Sequence, residues 1–486
     1  MRNTFHLKTL AVAIATLSVA SITNAAGLDR SGQDVTAFFQ DGTYAEAVYT
    51  YIDADVTGYD SANENPSVLG YERGSETGDI AESYDFFRYG VKTDINDTFS
   101  IGILYDEPFG AAAEYRGDSN FVSKGDIDAS IASITNGAAP SLAVAQAGIG
   151  ALTPGETAGV LTPAQQAQLD GLRGAVAIAQ AEAGNAGENT NVEVRSRSLT
   201  GILGMKFGAN KEFQVYGGPV AQRIESDTKL RGLAYGPATG YTSTSNPDTD
   251  YGYIAGISYS KPEIALKAAL TYRSEIDHDI TVAETYPIAG IRTAAAAQQQ
   301  GATPEQAAAL GAAAANRTSK SELTTPKSVN FDFQTGINPT TLATAKVRWV
   351  PWSDFVITPP LYNQVSIDSG LYGPDGLNLV EYDDDQWQVE LGLSKRLAPA
   401  LAVSGTVGWD SGAGDPTTSL GPVDGYYSVG LGAKYNFTEN WAVSAGGKYL
   451  WFGDAQGRLP TGKIVGDFED NNGYILGLKL SYQDIK

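Results

Sequence analysis

The stretch Gln386–Lys395 reads QWQVELGLSK. Trp387, Val389, Leu391 and Leu393 alternate with Gln386, Gln388, Glu390 and Ser394. The same period of two returns in Leu401, Val403, Val407 and Trp409, set against Ser404, Thr406 and Asp410. It recurs in Tyr427, Val429, Leu431, Ala433, Tyr435 and Phe437, then in Trp441, Val443, Ala445, Tyr449 and Trp451. A last run carries Tyr474, Leu476, Leu478, Leu480 and Tyr482. Alternation over about ten residues, repeated, marks strands that are apolar on one face only.

A soluble sandwich would alternate in the same way, so the connections decide. Short ones fall at 95–98, 208–212, 260–263, 336–341, 396–399 and 437–440. Long ones lie near 58–82, 111–191, 226–249, 277–326, 355–382, 411–424 and 453–470. Short and long alternate strictly, and six plus seven make 13 connections, hence 14 strands. Turns at one end, loops at the other and an even strand number are the pattern of an outer-membrane barrel. Tyr105, Trp349, Trp352, Trp387, Trp409, Phe437, Trp441 and Trp451 stand at strand ends and suit two interfacial girdles. The expected fold is all-β, a 14-stranded antiparallel transmembrane β-barrel.

Composition narrows the function. The 486 residues carry 33 Lys and Arg against 56 Asp and Glu, a net charge of −23 that argues against a nucleic-acid partner. There is no cysteine, which removes disulfides, thiolate metal sites and cysteine nucleophiles. The start has secretory form: Arg2 and Lys8, an apolar core from Leu10 to Ile22, and small residues before Ala26. Residues 1–25 are therefore expected to be a signal peptide, with the cell outer membrane as destination. His6 falls within it, which leaves His278 as the one histidine of the mature chain. Neither a metal nor a cofactor is expected, and no enzymatic activity. His278, in Asp277-His278-Asp279, reads as a solvated rim residue, because strand neighbours point to opposite faces and cannot form a relay. Asp383-Asp384-Asp385 reads as a solvated acidic rim.

Two inserts, about 126–190 and 289–322, are rich in Ala and Gln. Each has a capping box with Pro at the first helical position: Thr162-Pro163-Ala164-Gln165 and Thr303-Pro304-Glu305-Gln306. Leu169, Leu172 and Val176 then share one helical face. Both inserts lie in long loops, so helix-bearing extracellular loops are expected.

With the apolar set facing lipid, parity sends Arg88, Lys92, Lys206, Lys267, Arg273, Lys346, Arg348, Lys434, Lys448 and Lys479 into the lumen. The acids on that face are Glu46, Asp106, Glu275, Asp332, Glu390 and Asp410. A lumen more basic than its acidic surroundings favours an anionic solute.

Several segments together resemble the FadL-type long-chain fatty-acid transporters, a family with aromatic-hydrocarbon relatives. Tyr51-Ile52-Asp53-Ala54-Asp55-Val56 is similar to the family's first-strand segment, and Glu107-Pro108-Phe109-Gly110-Ala111 with Glu114-Tyr115 to its third-strand segment. Ala269–Glu275, ALTYRSE, is the most specific match, and Trp352-Ser353-Asp354-Phe355 resembles a fourth. The resemblance implies a barrel closed by an N-terminal plug, here short at residues 26–43, with the barrel spanning 44–486. It implies a ligand groove among extracellular loops, a lumenal pocket, and lateral release beside an inward kink at Pro108-Phe109-Gly110. Proline removes a ladder donor and glycine tolerates a bulge, so pairing is weakest there. Thr358-Pro359-Pro360 stands where the family has a basic residue, so carboxylate-binding cations do not carry over; Arg273, Arg348, Lys346 and Arg88 are chosen by parity instead.

The expected function is passive uptake of long-chain fatty acids or similar hydrophobic molecules by a monomer set among outer-membrane lipid and lipopolysaccharide. Uptake of uncharged hydrocarbons on the same fold is the alternative. A general aqueous porin fits the Ala-rich loops and the kink less well, and an outer-membrane hydrolase would have only His278 to work with.

Overall fold

The computed structural model describes residues 28–485. The expected signal peptide lies outside the described residues, as do Ala26 and Gly27 of the expected plug.

Fourteen strands close into one antiparallel barrel. They are β1 (Thr43–Asp55), β2 (Tyr84–Asp94), β3 (Phe99–Asp106, then Gly110–Glu114), β4 (Asn191–Phe207), β5 (Phe213–Lys229), β6 (Asp248–Lys261), β7 (Leu266–Arg273, then Ile276–Thr285), β8 (Asn316–Thr325, then Ser328–Asn338), β9 (Thr341–Val350), β10 (Gln386–Ala398), β11 (Leu401–Asp410), β12 (Tyr426–Asn436), β13 (Trp441–Phe452) and β14 (Asn472–Asp484). Each pairs with the next, and β14 returns to β1 in register from Thr43↔Asp484 to Asp55↔Asn472. Closure pairs the strand edges, as backbone polar groups in lipid require, except between β2 and β3 beyond Tyr89↔Tyr105.

The outer surface explains the alternation. Ile103, Leu203, Leu270, Leu393, Leu431 and Leu478 stand exposed mid-strand. Tyr253, Trp387, Tyr427 and Trp451 flank this band toward the long loops, and Phe99, Phe207, Phe437 and Trp441 toward the short turns. An apolar belt between two aromatic girdles is the surface of an outer-membrane barrel. Among the described residues no helix is long and apolar enough to cross a membrane; the strands cross instead.

Residues 28–42 run inside the barrel. A single 3-10 turn, Thr36–Phe39, buries Phe38 among Leu104, Ile202 and Tyr216. Glycines on the wall make room: a Cβ on Gly102 would lie 2.8 Å from the Phe38 ring, and one on Gly204 2.9 Å from it. Outside the membrane both capping boxes form, at the starts of α-helices Pro163–Gly184 and Pro304–Ala315. Leu169 is buried, with Leu172 and Val176 packed against Ile131, Ala145 and Ala179.

Four expectations need correction. First, 276–285 and 316–325 are not loop; they are strands that extend β7 and β8 beyond the membrane, paired from Ile276↔Thr325 to Thr285↔Asn316. Asn316–Thr325 carries no apolar alternation, and in 276–285 the alternating Ile276, Ile280 and Val282 face inward instead of toward lipid. Second, Ser274 and Glu275 interrupt β7 between two inward residues, Arg273 and Ile276. That offset reverses the parity beyond it, since a one-residue slip exchanges the two faces. Glu275 therefore faces outward and bonds Lys327 at 3.6 Å. Third, for the same reason His278 is no rim residue. It is fully buried, with Nδ1 3.4 Å from Asp248 of β6. Fourth, Trp352 joins no girdle; it is buried beneath the loops, where Nε1 donates to Gln386 Oε1 at 2.8 Å.

Candidate functional site

The ladder between β2 and β3 is only half made. Pairing runs from Asp94↔Ser100 to Tyr89↔Tyr105 and stops. Above that level Tyr84–Arg88 pair with β1 alone, while Gly110–Glu114 pair with β4 alone except at a single bridge, Ala81↔Ala113. Pro108 supplies no N–H at the break. The chain there turns inward: Phe109 is buried, its ring edge-on to Trp352 with centroids 5.8 Å apart. Phe109 N–H donates to Ser196 Oγ of β4, which donates back to Phe109 O, both at 2.7 Å.

The N-terminal segment fills this break. Arg30 N–H donates to Pro108 O and Gly110 N–H to Leu28 O, each at 2.7 Å, and Asp29 is bridged to Phe109. The Arg30 guanidinium lies over the Tyr84 ring, 3.9 Å from its centroid, a cation–π contact with a residue of β2. A Cβ on Gly110 would come within 2.3 Å of the Arg30 guanidinium carbon, so only glycine leaves space for it. One side chain from inside the barrel thus bridges the two strands that fail to pair. Neither its neighbours in sequence nor any periodicity singles out Arg30.

The four cations chosen by parity all point inward, but three hold acids of the N-terminal segment. Arg348 Nε donates to Asp29 Oδ2 at 2.5 Å, with Asn330 and Gln33 as further acceptors. Lys346 bonds Asp34 at 2.7 Å, and Arg88 lies 3.7 Å from Asp34 and 3.8 Å from Glu46. Lower down, Lys267 lies 3.6 Å from Asp41, and Lys92 donates to Gln40 O and Gly42 O. The basic excess read from the strands is therefore offset by Asp29, Asp34 and Asp41. Arg273 differs: Nη1 donates to Thr200 Oγ1 at 3.1 Å, Nε is buried with no acceptor, and no ion pair to it is formed among the described residues. It stands beside Phe109 at the level of the break.

Above the barrel the loops enclose an apolar cavity of about 90 Å3, lined by Tyr235, Tyr286, Tyr362, Leu379 and Leu420, with Arg292 at its margin. Tyr241 braces two of these rings edge-on, at 5.3 Å from Tyr286 and 5.2 Å from Tyr362. Glu284, at the outer end of β7, anchors the wall. It accepts from Tyr241 Oη at 2.9 Å and from the backbone N–H groups of Leu361 and Tyr362 at 2.8 and 3.0 Å. These two residues open the α-helix Pro360–Asp368, whose first turn is a favourable place for a carboxylate. Burial first, and then Glu284, raise the Tyr241 pKa well above its usual value, so the phenol remains a neutral donor. In the acidic triplet Asp385 accepts from Trp349 Nε1 at 3.0 Å and Asp383 pairs with Arg458 at 2.9 Å.

No protein-family model and no curated protein matches the chain in sequence. Solved structures match in fold. A Pseudomonas aeruginosa FadL homologue superposes with a TM-score of 0.57 at 13% identity, over 93% of this chain and 92% of its own. A deltaS2 mutant of the monoaromatic hydrocarbon channel TodX gives 0.50 at 10% identity, over 92% and 91%. A deltaS2S3 mutant of the same channel also gives 0.50 at 10% identity, over 96% and 97%.

Proposed function

The chain has the fold of FadL-type outer-membrane barrels, and from that premise we propose that it takes up hydrophobic small molecules and releases them sideways into the bilayer. The observation that carries the proposal is the half-made β2–β3 ladder with Arg30 and Phe109 set in it. A long apolar solute released into periplasmic water would expose its chain again at about 0.8 kcal/mol per methylene. A lateral exit avoids that cost, and in a closed barrel it needs a place where strands do not pair. Here the kink Pro108-Phe109-Gly110 is the gate, and the N-terminal segment is the bolt across it.

Capture would begin in the tyrosine-lined cavity, where Arg292 can meet a polar head while the rings hold the tail. At about 90 Å3 the cavity is smaller than the ~150 Å3 apolar space that takes up benzene, so longer ligands require the loops to part. A fatty acid is the ligand we favour, because Arg273 stands beside the gate and, among the described residues, no carboxylate closes an ion pair with it, Asp106 acting on it only from farther off. Arg88, Lys346 and Arg348 become available only if Asp29 and Asp34 leave. Their engagement favours a second reading, an uncharged hydrocarbon that never asks for a counter-ion. Mass spectrometry of lipid co-purifying with the full chain tests both. Free fatty acid supports the first reading and neutral hydrocarbon the second; phospholipid alone would count against both.

A further inference from the structure

Just above Arg273, where β6 and β7 leave the membrane, three side chains converge that the transport route does not use. Asp248 and Asp250 lie two residues apart on the inner face of β6, and His278 lies on the inner face of β7. One ligand atom from each falls within 4.8 Å of the other two. Asp277 and Asp279 point outward from the same stretch of β7, exposed, so this level stands clear of the apolar belt.

The hydrogen bonds around His278 define its tautomer. Gln222 donates from Nε2 to Ser198 Oγ at 3.3 Å, and its Oε1 accepts from Thr325 Oγ1 at 2.6 Å. That leaves Gln222 Oε1 as an acceptor toward His278 Nε2, 3.1 Å away, so Nε2 carries the proton. In the neutral ring Nδ1 then bears a lone pair. Nδ1 is buried with no hydrogen-bond partner, and so is the facing Asp248 Oδ2, 3.4 Å from it. Two acceptors aimed at each other repel where, as here, both atoms are shielded from water, and no lysine or arginine forms an ion pair with Asp248 or Asp250 among the described residues. An imidazole whose far nitrogen is held by a hydrogen-bond acceptor, with its near nitrogen open toward carboxylates, is a metal ligand with its outer support already in place.

We propose that His278 Nδ1, Asp248 and Asp250 bind a divalent transition-metal ion, with Zn2+ the best match to one imidazole and two carboxylates. Imidazole selects against Ca2+ and Mg2+, and the lack of any thiolate removes competing soft sites from the chain. Charge agrees, since the cation would neutralise two otherwise uncompensated carboxylates. The ion would tie β6 to β7 directly above the lumenal cation beside the gate, where β7 has just been interrupted at Ser274 and Glu275.

The test uses residues 26–486 in detergent, purified without a histidine tag so that His278 is the one imidazole present. Calorimetric titration with Zn2+ is expected to show one tight site. His278→Asn and Asp250→Asn should each weaken it at least tenfold, while heat-modifiable migration confirms a folded barrel. Asp250 makes no other side-chain hydrogen bond or ion pair among the described residues, so its replacement keeps the test valid if the histidine variant fails to fold. Cu2+ bound at the same site should give an EPR spectrum with splitting from a single nitrogen. Absence of a stoichiometric Zn2+ site, equal affinity in Asp250→Asn, or a Cu2+ spectrum without nitrogen coupling would each overturn the proposal. So would a chelator-treated protein that ignores Zn2+ and simply loses stability as pH rises through neutrality, for the gap would then hold a proton.

Discussion

Arg30 is a residue whose role comes from position alone. It lies on the Tyr84 ring, against Gly110, in the gap that β2 and β3 leave open. Arg30→Ala removes the cation–π contact and leaves the gap unfilled. Uptake of a fluorescent fatty acid into cells should rise several-fold, and a fall would show that Arg30 guides the ligand instead of blocking it. Arg273 makes the opposite case, since the strand pattern alone puts it in the lumen. Arg273→Gln should weaken fatty-acid binding about tenfold, in keeping with about 1.5 kcal/mol for a hydrogen bond to a charged group. The matching fatty alcohol should bind unchanged; equal loss for both would mean that the pocket reads only the tail.

At the scale of elements, the gate and the loop helices can be tested separately. Asp29 and Phe109 are antiparallel bridge partners, close enough for a disulfide between cysteines placed at both positions. The oxidised protein should bind ligand yet fail to transport it, and reduction should restore transport, with no native cysteine to interfere. Undiminished uptake with the bridge formed would place the exit elsewhere. The helical hairpin Pro287–Gln299 and Pro304–Ala315 springs from paired strand ends, with Tyr286 N–H donating to Ala315 O at 2.7 Å. A tight turn replacing 287–315 should therefore leave the barrel's heat-modifiable migration intact. Binding should fall, because Ile288 and Arg292 of the hairpin line the cavity. A deletion carried on to 322 would cut into β8, which the sequence does not reveal, because Asn316–Thr325 carries no apolar alternation.

For the whole molecule, the outward face is tested by charge. Leu431 is 75% exposed in the middle of β12, where exposure means lipid. Leu431→Arg should destabilise the barrel by about 2–4 kcal/mol in denaturant unfolding from bilayers, as for a cation at the bilayer midplane. A change near zero would put that face in water.

The strand count, the two ends of the barrel, the lipid-facing residues and the inward direction of Arg88, Arg273, Lys346 and Arg348 were all legible in the chain. Each follows from a period of two or from the length of a connection, which are local properties of the sequence. Pro108 and Gly110 marked the kink for the same reason, through their own backbone chemistry. Tertiary structure alone decided the partners. Asp29 and Asp34 meet Arg348 and Lys346 across more than 300 residues of chain, so an apparently basic lumen is already neutralised by the segment inside it. His278 and Asp248 met because a two-residue interruption at Ser274-Glu275 exchanged the faces of the strand beyond it. Periodicity records which way a side chain points only while the register is unbroken, and it holds no record of what stands opposite.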